Sequence, residues 1–253
     1  PLVNLNPSPR AIGNLRQSNH LGTFAVLGLV GTWWRHRRGL DDTAVSAFLA
    51  LLAYSCVVLS GSRTAVLEVV AVAICLALWR GPRSRLEWLV FLAGPLWVWA
   101  MDHGLQGLSA LLTHDFQALK ARDTGTFSIR WTHWGEAWQL ALNHPVLGVG
   151  WGELGRARFL ELPLQQHQVN TLNAHNLVLH ALAEMGLVGG TLCLAPIFWV
   201  LWRLRPWARD LPAPHQANPV DFRWGWLVLV AVGLHSLTEY PLWYMPFIIP
   251  TAF

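Results

Sequence analysis

The side chain best placed to do chemistry is His175, which stands between Asn173 and Asn176 where a polar segment turns into a long apolar run. An imidazole takes up and releases a proton near neutral pH, which suits it to general base catalysis. An ionisable residue at the mouth of a membrane helix is costly to keep there and is a candidate functional group. The alternative is a residue at a helix start that headgroups and water solvate, and its position alone favours neither interpretation.

Two arginines are candidate partners for this histidine. Arg63 lies in a short turn between two apolar runs, where its side chain could also simply extend to water, and Arg130 opens a Trp-rich segment. Guanidinium groups bind phosphate oxygens through paired hydrogen bonds. If Arg63, Arg130 and His175 lie on one face of the protein, they would form a site for a lipid-linked diphosphate. The sequence does not show whether they converge.

Other polar motifs are weaker candidates. His180 and Glu184 are four residues apart on one helical face, so we interpret them as an intrahelical structural pair, with a catalytic part as the lesser alternative. Residues 150–155 match G-x-G-x-x-G without the strand that a dinucleotide site needs, which predicts a glycine-rich turn. The 11 His and 3 Cys show no metal-ligand spacing, so we expect neither a metal nor another cofactor.

The elements that position these residues are predicted to be membrane helices. Charged residues make up 13% of the chain and apolar residues 53%, whereas soluble proteins have about 25% charged residues. The chain also contains 16 Trp, a residue that favours the membrane–water interface. Its net charge of +4 comes from short basic clusters between apolar runs, which indicates membrane topology rather than nucleic-acid binding.

Apolar runs and basic clusters together predict six to seven spans and their sidedness. The runs cover residues 21–34, 43–59, 64–79, 86–101, 176–202 and 224–237, and a further one begins near Leu242. Basic clusters follow the first, third and fifth runs, at residues 35–38, 80–85 and 203–209. The positive-inside rule places these three loops in the cytoplasm and the connections between them outside.

The longest outer connection, residues 102–174, is predicted to carry a short amphipathic helix. Trp131, Trp134 and Trp138 recur at helical spacing, and His133 and Glu136 occupy other faces. Such a helix would lie in the outer membrane interface or pack on the helical bundle, and the two placements are compatible. It should end near residue 143, because the following Pro145 disfavours helix in the residue before it.

Residues 1–253 are expected to be an internal fragment of one membrane-embedded domain. The chain begins at Pro1 without an initiator Met or a signal peptide, and it ends at Phe253 inside an apolar run. We therefore expect N-terminal and C-terminal parts of a longer protein to be missing.

Six short motifs resemble, in order, those of the O-antigen ligase/Wzy polymerase superfamily. They lie at residues 13–21, 60–63, 130–134, 144–151, 173–176 and 235–242. The first and last are most similar to the PglL-type pilin O-oligosaccharyltransferases, a protein-glycosylating branch. One departure is Ser18, where that branch usually has Pro.

The resemblance implies an all-α, polytopic helical membrane bundle in the bacterial inner membrane with its active site facing the periplasm. It implies metal-independent transfer of a glycan from a polyprenyl-diphosphate carrier to an acceptor hydroxyl. His175 would be catalytic and activate the acceptor, Arg63 and Arg130 would hold the diphosphate, and Gln17 and Tyr240 would line the cavity. The acceptor would be a pilin-like protein, with the lipid A core or a growing polymer as alternatives.

A membrane transporter or flippase with an Arg-lined cavity is the alternative of another class. Such a carrier should show a repeat relation between its halves, or helices broken near the bilayer midplane. The sequence indicates neither. A membrane-anchored scaffold is a third possibility, but it would leave Arg63 and His175 unexplained. We therefore predict a glycosyltransferase.

Cysteine-accessibility labelling in intact cells tests the predicted sidedness. We expect a membrane-impermeant reagent to label Arg63→Cys, Arg130→Cys and His175→Cys from outside, and to leave cysteines at residues 35–38 unlabelled, because basic loops stay in the cytoplasm. Labelling of His175→Cys from the cytoplasmic side alone contradicts the predicted topology.

Overall fold

The computed structural model describes residues 17–79, 84–111, 124–163, 172–203 and 219–241. Within these ranges every regular element is helical and there is no strand, as the sequence predicts. The helices are α1 (Ser18–Arg37), α2 (Thr43–Ser60), α3 (Arg63–Leu78), a π-helical segment (Glu87–Leu92), α4 (Gly94–Leu111), α5 (Thr124–Asn143), α6 (Leu154–Glu161), α7 (Leu177–Arg203) and α8 (Pro219–Ser236).

The six predicted apolar runs all fall in helices, although their bounds differ in places. The run at 86–101 divides into the π-helical segment and α4, and α4 continues to Leu111. The outer connection predicted at 102–174 is therefore helical over its first ten residues, 102–111. Among the described residues, α2 and α7 are long and apolar enough to cross a membrane. The other spans stay predictions, and the run near Leu242 and most of the 80–85 and 203–209 clusters lie outside the described residues.

The described elements belong to two compact units. The first contains α1 to α4, the π-helical segment and α8 as far as His235. The second contains α5, α6, α7 and residues 236–240.

In the first unit, α1, α2 and α3 meet at a tight turn that fixes Arg63. Gly61 ends α2 in the left-handed conformation at φ 58°, and the Ser62 side chain then accepts a hydrogen bond from the Ala65 amide and caps α3. Helix α1 packs closely against this turn, since a Cβ at Gly22 would lie 2.7 Å from the Ala65 Cβ. Arg63 is thereby placed at the first position of α3, with an exposed side chain.

A polar cluster ties α1, α3 and α8 together inside the apolar core of the first unit. Thr23 Oγ1 donates to Glu68 Oε1 at 2.7 Å and is also hydrogen-bonded to His235 Nδ1. All three side chains are fully buried. Polar groups in such a core are costly unless they bond to each other, so this cluster favours one relative arrangement of the three helices.

In the second unit, α7 is interrupted at Gly186, which the continuous apolar run did not indicate. Gly186 has φ 62° and ψ −166°, outside the helical region. The segment at 145–150 satisfies the backbone groups that the break releases. Val149 and Gly150 donate to the carbonyls of residues 183 and 184, both at 2.9 Å, and Leu187 and Val188 donate to those of residues 145 and 146 at 2.8 and 3.1 Å. The break is thus closed by protein backbone.

This exchange of hydrogen bonds requires glycine at two positions. Gly148 has φ 71°, and a Cβ there would lie 2.3 Å from the Glu184 carbonyl carbon. A Cβ at Gly186 would lie 2.4 Å from the Val146 carbonyl carbon. At both positions a side chain would combine an unfavourable φ with an overlap on backbone atoms that cannot turn away.

Glu184 links the broken helix to α6. Its carboxylate accepts hydrogen bonds from the amides of Gly152, at 3.0 Å, and Leu154, at 3.3 Å, at the start of α6. A carboxylate at a helix N-terminus is favoured by the helix dipole. His180 Nε2 lies 3.5 Å from the same carboxylate, which supports a structural interpretation of the pair. The G-x-G-x-x-G segment forms the turn before α6, with Gly150 and Gly152 at positive φ.

Alanine at the two close-approach glycines should destabilise the second unit. We expect Gly148→Ala and Gly186→Ala each to lower the free energy of unfolding by about 2 kcal/mol or more, because strain and overlap add. Thermal unfolding in detergent, read by circular dichroism, measures the effect. Gly28→Ala in α1 is the control, since nothing lies within 4 Å of its added Cβ. Equal melting temperatures for Gly148→Ala and Gly28→Ala would contradict the assignment.

Candidate active site

His175 is held in an unusual backbone conformation immediately before α7. Its φ of 52° makes it the single non-glycine residue with positive φ among the described residues. The Asn176 side-chain oxygen accepts from the amides of Val178 and Leu179, each at 3.0 Å, and so caps the helix. Trp134 Nε1 donates to the His175 carbonyl at 3.4 Å. Strained backbone of this kind costs about 1–3 kcal/mol and clusters at functional sites.

The imidazole of His175 is bonded to a buried carboxylate, Glu239, that was not among the predicted site residues. Its Nδ1 lies 2.7 Å from Glu239 Oε2, and Glu239 is 3% exposed. Arg130 Nη2 donates to the other oxygen, Oε1, of the same carboxylate. The available sequence signal was an acid beside Tyr240 in an otherwise apolar segment, because such an acid needs a partner.

These contacts fix which nitrogen of His175 can act as a base. A carboxylate between a guanidinium and an imidazole accepts from both, so the proton of the neutral ring is assigned to Nδ1. Nε2 then carries the lone pair. The arrangement orients the ring and stabilises the imidazolium that forms when Nε2 takes a proton.

The structure brings together three of the five predicted site residues. Arg130 and His175 share the Glu239 carboxylate, and the Tyr240 ring lies 5.0 Å from the His175 ring, tilted by 57°. Gln17 and Arg63 belong to the first unit, at the starts of α1 and α3. That these two converge with the other three stays a prediction.

A second buried group of polar and charged residues lies beside His175. The His133 ring stacks on the His175 ring, with centroids 5.9 Å apart and planes 19° apart. Arg158 Nη2 forms an ion pair with Glu136 Oε2 and lies 3.2 Å from His133 Nδ1. His133, Glu136 and Arg158 are all buried. Sequence spacing placed His133 and Glu136 on one helix, but gave no sign that Arg158 reaches them from α6.

His133 is expected to be neutral. Burial lowers its pKa below the ordinary histidine value, and the charge of Arg158 lowers it further, although Glu136 acts in the opposite direction. Arg158 can only donate, and it lies closer to Nδ1 than Glu136 Oε2 does, at 3.2 against 3.4 Å. Nδ1 is therefore the acceptor, and the ring proton is assigned to Nε2.

Helix α5, which carries Arg130, His133 and Glu136, buries His133 and Glu136 together with Leu140 and leaves several large apolar residues exposed. Trp131, Trp138 and Leu142 are 57%, 52% and 60% exposed. The helix ends at Asn143, as the sequence predicts, but it begins at Thr124 and so is longer than expected. Within the part of the chain that the structure describes, no three His, Cys, Asp or Glu side chains are grouped to hold a metal ion.

Three family models match separate parts of the sequence. The model of the O-antigen ligase family matches residues 47–194. The C-terminal model of virulence factor membrane-bound polymerases matches residues 223–253, and the protein glycosylation ligase model matches residues 11–36. No solved structure matches the chain significantly.

A curated relative is similar to nearly the whole chain. It is described as a general O-oligosaccharyltransferase of Acinetobacter baylyi (strain ATCC 33305 / BD413 / ADP1) and is 27% identical over 261 residues. The match covers 97% of this chain and 43% of the relative, so the chain spans less than half of that protein's length. Since the O-antigen ligase model alone covers more than half of the 253 residues, the chain belongs to the O-antigen ligase family.

Proposed function

We propose that this chain carries the active site of a glycosyltransferase that moves a glycan from a polyprenyl-diphosphate carrier to an acceptor hydroxyl. The observation that carries the proposal is the Glu239 carboxylate, which binds Arg130 on one oxygen and His175 on the other. It gives a cation and an oriented base within one small group of side chains. Membership of the O-antigen ligase family supports the same reaction class.

In the proposed reaction, His175 acts as the general base. Its Nε2 takes the proton of the acceptor hydroxyl while the oxygen attacks the anomeric carbon of the glycan. The bond between that carbon and the phosphate oxygen breaks, and its electron pair leaves with the diphosphate. Glu239 keeps the His175 ring oriented and stabilises the resulting imidazolium.

The leaving diphosphate needs positive charge rather than a proton. Arg130 uses Nη2 for Glu239, and a guanidinium has five N–H donors, so it can bind phosphate oxygens at the same time. Arg63, exposed at the start of α3, is the second proposed ligand, and Gln17 and Tyr240 are proposed to line the cavity. Fixed positive charge stabilises a departing anion without rearrangement, and no metal takes part in the proposed mechanism.

The proposed setting is a polytopic bundle in the bacterial inner membrane, with the site facing the periplasm. The apolar lengths of α2 and α7 support membrane insertion. On α5, Trp131 and Trp138 are exposed whereas His133 and Glu136 are buried, which supports a helix lying in the outer interface, where indole rings are favoured. A site at that level could receive a lipid-linked donor from the outer leaflet.

The proposed acceptor is a protein hydroxyl, as in pilin-type glycosylation. The match of residues 11–36 to protein glycosylation ligases and the description of the A. baylyi relative support this choice. The polymerase match at 223–253 supports a growing glycan as the alternative acceptor, and the lipid A core is a further one. An assay of the full-length protein with a lipid-linked glycan and each acceptor in turn tests the proposal. Donor movement across the membrane without transfer would instead indicate a flippase.

Replacing the proposed base should abolish most of the transfer. Asparagine tolerates the left-handed backbone, so His175→Asn removes the base without adding strain. We expect a loss of about 10²–10⁴-fold in kcat for this variant. Glu239→Gln should also lower kcat, because an amide cannot accept hydrogen bonds from both His175 and Arg130 as a carboxylate does. His144→Asn is the control and should leave kcat unchanged, because the His144 side chain is 40% exposed and pairs with Glu161. Near-normal turnover by His175→Asn at saturating substrates overturns the assignment.

Changes at the two arginines should act on the donor. We expect Arg63→Ala and Arg130→Ala to raise the KM for the lipid-linked glycan and lower kcat, and lysine to restore part of the activity because it lacks the paired donors. Arg156→Ala is the control, since Arg156 is exposed and pairs only at 3.6 Å with Glu153. Because no metal takes part in the proposed mechanism, the transfer activity of the wild-type protein should be the same with and without EDTA. An unchanged donor KM in both alanine variants contradicts diphosphate binding.

A further inference from the structure

Two stacked histidines in the second unit have opposite partners. His175 Nδ1 faces the Glu239 carboxylate, which can only accept a hydrogen bond. His133 Nδ1 lies 3.2 Å from Arg158 Nη2, which can only donate a hydrogen bond, and 3.4 Å from Glu136 Oε2, which is itself paired with Arg158. With ring centroids 5.9 Å apart, two imidazolium rings would repel each other at this site, where His133 is buried and His175 is partly buried. The two environments therefore separate the roles of two chemically identical side chains.

We propose that His133 and Arg158 are positioning residues, which hold a neutral ring against His175 and restrict proton uptake to His175. This inference deepens the proposed function, and its kinetic test rests on it. Neither residue exchanges a proton with the substrate. They act through the orientation and the charge of His175.

The charges around His133 support this division. The groups that act on it are Glu136 from its own helix, Arg158 from α6 and His175 from the segment before α7. Glu136 alone would favour a protonated His133, but its Oε2 is engaged by Arg158. Arg130 forms an ion pair with Glu239, and Glu239 also binds His175. The Arg158–Glu136 ion pair thus neutralises the acid and turns a donor toward the ring.

The arrangement has a consequence for catalysis. When Nε2 of His175 takes the acceptor proton, the new imidazolium is bonded to the Glu239 carboxylate and stacks on a neutral His133 ring. A protonated His133 would destabilise that state and slow transfer. A missing ring would let His175 turn away from its productive orientation, and a misplacement of about 1 Å can cost on the order of 10²-fold in rate.

Nitrogen-15 NMR of histidine-labelled, full-length protein in nanodiscs tests the charge assignment without any turnover. His133→Phe and His175→Asn assign the two resonances. From about pH 8 to about pH 5.5, we expect His133 to remain a neutral ring with its proton on Nε2, because burial and the charge of Arg158 lower its pKa. Protonation of His133 within this range, or a neutral His133 ring with its proton on Nδ1, overturns the inference. Failure of transfer activity in the wild-type protein would instead overturn the proposed function, leaving this titration to decide the inference.

Steady-state kinetics of variants test the positioning role. We expect His133→Phe, which keeps the ring and cannot titrate, to retain kcat within about threefold, and His133→Ala to lose about tenfold or more with little change in donor KM. Arg158→Gln frees Glu136 to raise the pKa of His133, so its kcat relative to wild type should fall several-fold from about pH 8 to about pH 6.

His180→Phe is the matched control, since His180 also lies beside a glutamate in the same unit. We expect its effect on kcat to be the same at both pH values. If His133→Phe is as impaired as His133→Ala, or if the Arg158→Gln ratio does not change with pH, the inference is wrong. Should Arg158→Gln fail to fold, the NMR titration of the wild-type protein and the pair of His133 variants still decide it.

Discussion

The carboxylate of Glu239 is the contact on which the arrangement of the candidate site depends. It is almost fully buried and accepts from Arg130 and His175, which come from different segments of the chain. A buried carboxylate without such partners would be strongly unfavourable, and so would a buried guanidinium. Each group therefore requires the others. The same interaction that makes the burial tolerable fixes the tautomer of His175 and leaves Nε2 as the base.

The Glu239 contact can orient His175 only because the surrounding backbone of the second unit is itself held in place. The break at Gly186 lets the 145–150 segment bond to α7 on both sides of the interruption, and Glu184 then caps α6. Helix α6 in turn delivers Arg158 to His133. The break at Gly186 thus positions Glu184 at the start of α6, and α6 positions Arg158. Arg158 in turn affects the charge of His133, whose ring stacks on the candidate base. The break in α7 is also relevant to the transporter alternative, because carriers often contain broken helices. Here the backbone groups that the break frees are bonded to residues 145–150, so they do not line an open binding site.

The second unit contains two Arg–Glu pairs with different consequences for the histidine next to each. Arg130 with Glu239 presents an acceptor to His175, whereas Arg158 with Glu136 presents a donor to His133. Residue type alone would predict similar behaviour for the two rings. Which member of each ion pair lies nearer the imidazole nitrogen decides the proton assignment, and with it which histidine can serve as the base.

Helices were predictable from the sequence because their causes are local. Continuous apolar runs, Pro145 after α5 and the Gly61–Ser62 turn act within a few residues, so the runs are all helical and α5 ends where expected. The sequence also singled out His175 and Arg130 by residue type and position, and Tyr240 through a family resemblance. Tertiary structure alone decided that Glu239 meets His175 across 64 residues, that Arg158 reaches His133 across 25, and that α7 breaks at Gly186. These features depend on which buried polar groups find partners when distant segments pack, and no local pattern specifies that.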